Sequence, residues 1–287
     1  MTHTRLLPFL LVLALASPAV YETPDLKPHT LEAFLQYARL TEAEFLEQVH
    51  SGDFLRFDNE GQIEDLAEAR ETIDAGDVYI TRLKTLDSDG EEIEVKNGIV
   101  HHWYGAVFVE GVELDQVLEM VKDYPTHNQV FGPDVEEAQI LDVNDDREIF
   151  DIRYRFRKRK VIEVVLETEH HVEYTRVSSS RAYSMSRTTK VQEVEDPDGR
   201  NISKLPDTGR GFVWRINSYW RFERQDGGTF IECESITLTR DIPLLLKPIV
   251  SPFVTGVPKD TLTATLENAR DELLQDPSPG GQERNRP

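Results

Sequence analysis

Residues 147–174 read REIFDIRYRFRKRKVIEVVLETEHHVEY, and they alternate with period two. The even positions Phe150, Ile152, Tyr154 and Phe156 are apolar, while Arg153, Arg155, Arg157 and Arg159 fill the odd ones. After the break the even positions continue as Ile162, Val164, Leu166, Thr168, His170 and Val172, and the odd ones carry Glu163, Glu167, Glu169 and Glu173. Side chains of a strand point to opposite faces in turn. The stretch therefore predicts two antiparallel strands with one apolar face and one face on which an arginine stripe meets a glutamate stripe. Cross-strand ion pairs on a wet face contribute only ~0.2–1 kcal/mol each, but they fix the register.

That period also disposes of the basic run Arg153–Lys160. Read linearly, it suggests a nucleic-acid patch. Read with alternation, its arginines face acids on the next strand. The whole chain points the same way: 53 Asp and Glu against 32 Lys and Arg give 287 residues a net charge of −21, unsuited to phosphate backbones or an anionic membrane.

Working outward, strands are expected at 136–144, 147–158, 161–175, 181–194, 211–224 and 229–240, with Asp226-Gly227-Gly228 as the turn between the last two. Phe212, Trp214, Ile216, Trp220 and Phe222 share one face, and Arg215, Asn217, Tyr219, Arg221 and Glu223 the other. Glu232 and Glu234 point out, so Ile231, Cys233, Ser235 and Thr237 point in. Upstream, a strand is expected at Ile99–Val109, a short helix at Leu114–Val121 and another turn at Pro125–Phe131. Val78–Ile80 and Ile93–Val95 flank Ser88-Asp89-Gly90 as a hairpin. Residues 258–275 form an amphipathic helix with Leu262, Leu266, Ala269 and Leu273 on one face, the only element long enough to cover the sheet.

The N-terminal part reads differently. Met1–Ala19 has Arg5, an apolar run over Leu6–Ala16 and a small-residue site, the pattern of a signal peptide; the run is shorter than the ~20 residues a membrane helix needs. This predicts a secreted or periplasmic protein. Residues 20–97 are expected to be a helical extension plus the β-hairpin, with Thr41 as an N-cap whose capping box closes on Glu44, and a short helix near Ile63–Ile73. Residues 276–287 are polar and rich in proline and glycine, a frayed tail. The lone Cys233 excludes an intrachain disulfide and a cysteine-based zinc site.

Several stretches together carry a resemblance. They are Trp103-Tyr104-Gly105-Ala106-Val107-Phe108 leading into the helix Leu114–Val121, and the turn Asp123-Tyr124-Pro125. Further on come Ser218-Tyr219-Trp220-Arg221-Phe222-Glu223, Ile231–Ser235, Thr239–Pro243 and the helix from Pro258. From about Gly98 to Leu274 the chain resembles the START-like superfamily, also called SRPBCC, which includes polyketide cyclases and coenzyme-Q-binding proteins. The resemblance implies an α+β helix-grip fold: a curved antiparallel sheet around a long C-terminal helix, with an apolar tunnel between them for lipids, isoprenoids, polyketides or similar molecules. It brings no shared catalytic motif and implies no cofactor.

The expected cavity wall comes from Phe150, Ile152, Tyr154, Phe156, Val164 and Leu166 on the first hairpin. Trp214, Ile216, Ser218 and Trp220 extend it, and Leu262 and Leu266 form the roof. His170, Arg187, Tyr154 and Ser218 are candidates for the polar end. An enzyme of the cyclase or hydrolase type would use His170 on the inner face as its proton carrier. Adjacent histidines of a strand face opposite ways, so His101-His102 and His170-His171 cannot each chelate one ion. A site from His102, His127 and His170 lacks any supporting spacing, and no metal site is expected. The proline-broken apolar segment 242–257 either packs the last strand onto the helix or forms a lip whose Leu245, Ile249 and Phe253 touch a ligand or, transiently, a membrane.

Overall fold

The computed structural model describes residues 25–58, 63–159, 163–196, 198, 202–209, 212–225, 227–241 and 247–275, with the side chains of 247–255 set aside. The expected signal peptide, the tail 276–287, Ile162 and residues 242–246 lie outside the described residues.

Two helices come first, α1 (Pro28–His50) and α2 (Leu66–Asp74). The sheet strands are β1 (Tyr79–Arg82), β2 (Gly98–Glu110), β3 (Val135–Val143), β4 (Ile149–Arg159), β5 (Glu163–Arg176), β6 (Arg181–Glu195), β8 (Arg215–Gln225) and β9 (Gly228–Arg240), and the two-residue β7 (Ile202–Ser203) pairs with β6. Between β2 and β3 lie α3 (Leu114–Lys122) and the single turn α4 (His127–Val130), and α5 (Lys247–Gln275) closes the chain. The strands hydrogen-bond in the order β1-β2-β9-β8-β6-β5-β4-β3, antiparallel throughout. With α5 packed on β2 and β9, this is the helix-grip arrangement.

The opening hairpin forms as its alternation requires. Arg153 is the register partner of Glu169 and Arg155 of Glu167. Their side chains make ion pairs at 2.8 and 3.0 Å, and Arg157 reaches Glu136 and Glu163. The helix can sit close to β2 because Gly105 has no side chain: a Cβ there would lie 2.5 Å from Leu266 Cδ1 and 2.5 Å from Ile80 Cδ1. At the start of α3 the Gln116 side chain accepts from the Glu113 N–H at 2.9 Å, and at the start of α2 Asp65 accepts from the Glu68 N–H at 2.9 Å.

Four expectations fail. Thr41 caps nothing: it sits inside α1, where its hydroxyl donates to the Tyr37 carbonyl at 3.0 Å and meets Thr85 Oγ1 at 2.8 Å, because the apolar face of the helix runs uninterrupted from Phe34 to Val49. Val78–Ile80 and Ile93–Val95 do not pair. β1 instead pairs with β2, and a single bridge, Leu86 with Glu92, spans the Ser88–Gly90 turn. The prolines of 247–258 do not delay the last helix to 258. Pro248 lies in its first turn, where no amide hydrogen is needed, and Pro252 and Pro258 each remove one hydrogen bond without ending it.

The fourth failure is the largest. The outer face of β2, β8 and β9 is not wet. α1, α2 and the segment 54–57 lie across it and build a second core from Phe34, Phe45, Phe54, Tyr104, Tyr219 and Ile236. The molecule has three layers: this extension, the sheet, and the layer of α3 and α5.

Candidate functional site

Between the inner face of the sheet and the helices α3–α5 lies a cavity of about 300 Å³. Its walls are mostly apolar. Ile152, Tyr154, Phe156 and Leu166 come from β4 and β5; Ile216, Trp220 and Phe222 from β8; Leu262 and Ala269 from α5. Met120, Val121, Tyr124, His127 and Phe131 close the side formed by α3 and α4.

The floor is open because small residues line up across three strands. Ser186 on β6 is the register partner of Ser218 on β8, and Ser218 that of Ser235 on β9. One row further along lie Ser184, Trp220 and Cys233; on the opposite side Ile216 partners Thr237. All of these reach the cavity.

The polar groups around the void are neutral. His170 bonds Thr168 Oγ1 through Nε2 at 2.8 Å and meets Ser186 Oγ through Nδ1 at 3.3 Å. Burial holds its pKa down at about 4. Burial does the same to His127, also to about 4, against the opposing pull of the Met120 and Val121 carbonyls and Asp123. His127 Nδ1 lies 2.7 Å from the Tyr154 hydroxyl. Tyr124 O–H faces Tyr174 Oη at 2.8 Å, and Tyr174 donates to the Val121 carbonyl at 3.1 Å. Burial raises the pKa of all three phenols, Tyr124, Tyr154 and Tyr174. Charge appears at the mouth: Lys158, on the inner face, is paired with Asp134, and the Arg157 guanidinium is held by Glu136, Glu163 and Asp198.

On the opposite face of the same strands is a sealed ion cluster. Arg221, Glu232 and Glu234 have no exposed surface, and Arg56 is 4% exposed. Glu232 accepts from the Arg56 and Phe57 backbone N–H groups, both at 3.0 Å, and from the Tyr104 hydroxyl at 2.6 Å. Arg221 Nη1 lies 3.5 Å from Glu232 and 3.8 Å from Glu234, while its Nη2 donates to Gln48 at 2.6 Å. Glu234 takes a 3.2 Å bond from Arg56 and a 2.8 Å bond from His102. Burial would raise the pKa of Glu234, but Arg56, His102 and Arg221 outweigh it and hold it at about 2.

Nine of the expected lining residues come together at the cavity: Ile152, Tyr154, Phe156, Leu166, His170, Ile216, Ser218, Trp220 and Leu262. Five do not line it. Phe150 is packed behind the wall between Tyr124 and Tyr174, with ring centroids at 5.2 and 5.8 Å. Val164 is the register partner of Lys158 near the end of the hairpin. Leu266 is spent on the contact with Gly105. Arg187 occupies an odd position of β6, so it projects outward, where it forms a two-pronged bond with Glu42 of α1 at 2.8 and 3.0 Å. Trp214 lies one residue before β8, in a bend, so the alternation does not reach it. It joins the outer core, and Val213 faces the cavity instead. His102 is on the outer face, away from His127 and His170, and among the described residues no group of three His, Cys, Asp or Glu side chains is placed to hold a metal. Sequence reasoning does not reach Tyr124, His127 and Phe131, which follow no period, or the serines of β6, which carry no apolar alternation to mark their face.

No family model matches the chain, and no curated protein matches it. Among solved structures, it is similar to a STAR-related lipid transfer protein fragment from Xanthomonas axonopodis (16% identity, 68% of this chain and 99% of that one, TM-score 0.43). It is also similar to human STARD10 (9% identity, 74% and 78%, TM-score 0.46) and to the Zhui aromatase/cyclase from Streptomyces (12% identity, 62% and 95%, TM-score 0.40).

Proposed function

We propose that this helix-grip protein is a binding protein that holds one hydrophobic small molecule, a lipid, isoprenoid or similar compound, between its sheet and α5. The observation that carries the reading is the cavity of about 300 Å³ walled by apolar side chains. That volume is at the small end of the ~300–1,000 Å³ typical of small-molecule sites, which favours a single chain or a small ring system over a two-chain lipid. Burying roughly 400 Å² of apolar ligand surface yields about 10 kcal/mol at ~25 cal/mol per Å². Association takes back at least ~4 kcal/mol, so apolar burial alone supports micromolar or weaker binding.

The pattern of Met1–Ala19 supports the same protein being exported to a secreted or periplasmic location. No helix among the described residues is long and apolar enough to cross a membrane. The apolar segment 242–257, which runs into the cavity-lining Val257 and Pro258, supports a transient membrane contact during loading.

The rival reading is a cyclase-type enzyme working on polyketide-like or aromatic substrates in the same cavity. His170 is its proton carrier, and with a pKa of about 4 the ring is protonated in only about one molecule in a thousand at pH 7. It is a poor acid and a weak base there, so binding is the reading we put first.

Native mass spectrometry of protein incubated with a lipid extract tests the proposal. One adduct per chain is expected. Ser218→Trp, which fills the floor of the cavity, should reduce uptake at least about tenfold. An apo mass alone, before and after incubation, counts against the container reading.

A further inference from the structure

The hydroxyls that line the cavity are not all engaged. On the roof, Thr265 donates to the Thr261 carbonyl at 2.8 Å and is spent within α5. On the floor, Ser184, Ser218, Ser235 and Thr237 line the void, and none has a side-chain hydrogen bond among the described residues. Two of these four are more than nine-tenths buried: Ser184 is 3% exposed and Thr237 is 7% exposed. Buried hydroxyls are nearly always bonded to something, and leaving one facing hydrocarbon costs its desolvation. A purely hydrocarbon occupant would press against these two and against the half-buried Ser218 and Ser235 without answering any.

The row has a pitch. Ser186, Ser218 and Ser235 stand on adjacent strands in register, so their Cα atoms are spaced by the ~4.8 Å interstrand distance. Trp220 on one side and Ile216 on the other supply apolar flanks. An oxygen carried on an apolar skeleton would find a donor or an acceptor at whichever point along the row it came to rest.

Charge is treated differently. Both cations at the mouth are engaged, Lys158 with Asp134 and Arg157 with Glu136, Glu163 and Asp198. The groups deeper in, His127, His170 and the three phenols, are the neutral set described above. A carboxylate drawn into this void would find as cations only Lys158 and Arg157, both already paired with acids, and burying an unpaired charge is far more costly than burying a hydroxyl.

We propose that the cavity selects on charge and oxygenation: it takes a neutral alcohol or ketone on an apolar skeleton, with the oxygen against the Ser186–Ser218–Ser235 row, and rejects the carboxylate of the same skeleton. This rests on the cavity being a ligand site, as proposed above.

The test uses the full chain and three probes of one skeleton, naphthalene, 2-naphthol and 2-naphthoate, titrated calorimetrically at pH 7. The naphthol should bind roughly tenfold more tightly than naphthalene and at least that much more tightly than the naphthoate. In the double variant Ser218→Ala/Ser235→Ala the ratio of naphthol to naphthalene affinity should fall toward one, and naphthalene binding reports in the same experiment that the cavity is intact. Ser235→Ala alone should give an intermediate ratio. Naphthoate binding as well as naphthol, or a ratio unmoved by the substitutions, overturns the selectivity and leaves the container reading standing. Failure of all three probes to bind overturns both.

Discussion

Lowering the pH from 8 to 5 should remove about 6 kcal/mol of stability, a large share of the ~5–15 kcal/mol that a domain possesses. The cause is three buried histidines. His101, His127 and His170 are each pushed by burial to a pKa of about 4, against 6.5 for an exposed ring. Because the folded values are depressed, the unfolded chain takes up protons first. The contribution is complete above about pH 7, declines as the pH falls through 6.5, and is exhausted near 4. At pH 5 each ring accounts for about 2 kcal/mol. Glu234 adds to the trend further down: held at about 2, it contributes fully above its ordinary carboxylate value of 4.5 and loses that contribution as the pH falls toward 2. Urea midpoints at pH 8, 7, 6 and 5 check the effect, and His170→Gln should flatten the slope by about a third. Midpoints that hold steady down to pH 5 would contradict it.

Glu232→Ala should cost about 3–5 kcal/mol, the range for breaking a buried ion pair from one side. The substitution strands three donors at once, the N–H groups of Arg56 and Phe57 and the Tyr104 hydroxyl, and takes from the Arg221 guanidinium its nearer carboxylate. Arg221 is stacked at 4.1 Å over the Phe45 ring and has no exposed surface, so it cannot turn to water. Glu232→Gln should cost less, because the amide oxygen still accepts from the backbone and only the charge is lost. Chemical denaturation separates the two. A Glu232→Ala variant within about 1 kcal/mol of the wild type would mean that the cluster is not what ties the extension to β9.

What could be read from the chain and what could not follow from how local each signal is. The inner wall of β4 and β5 was legible because alternation is a property of neighbouring residues, and Ile152, Tyr154, Phe156, Leu166 and His170 do line the void. The same rule fails at Trp214, where the strand has not yet begun, and it places Arg187, in register parity with Tyr183 and Met185, on the outer face. Tyr124 lies in a short turn after α3 and His127 opens the single turn α4, with no period to reveal which way they face. The ion cluster was the hardest to foresee. Glu232 and Glu234 were correctly placed on the outer face, but nothing near them in the chain says that residues 34–57 will cover that face. A weak clue existed: Arg221, Tyr104 and His102 stand on the same face of the two neighbouring strands, a density of ionisable and hydrogen-bonding groups that a solvent-washed surface does not need.

The three-layer build carries a practical consequence. The segment from Gly98 onward looks like a self-sufficient module that could be excised or grafted, since all of the cavity walls lie within it. It is not portable. Cut at 98, β9 would present two carboxylates and β8 an arginine beside a broad aromatic surface, Tyr104 and Tyr219 included, with their covering gone. A fragment starting there is expected to clump when expressed, and any transplant of the ligand chamber into another host has to take α1, α2 and β1 along with it.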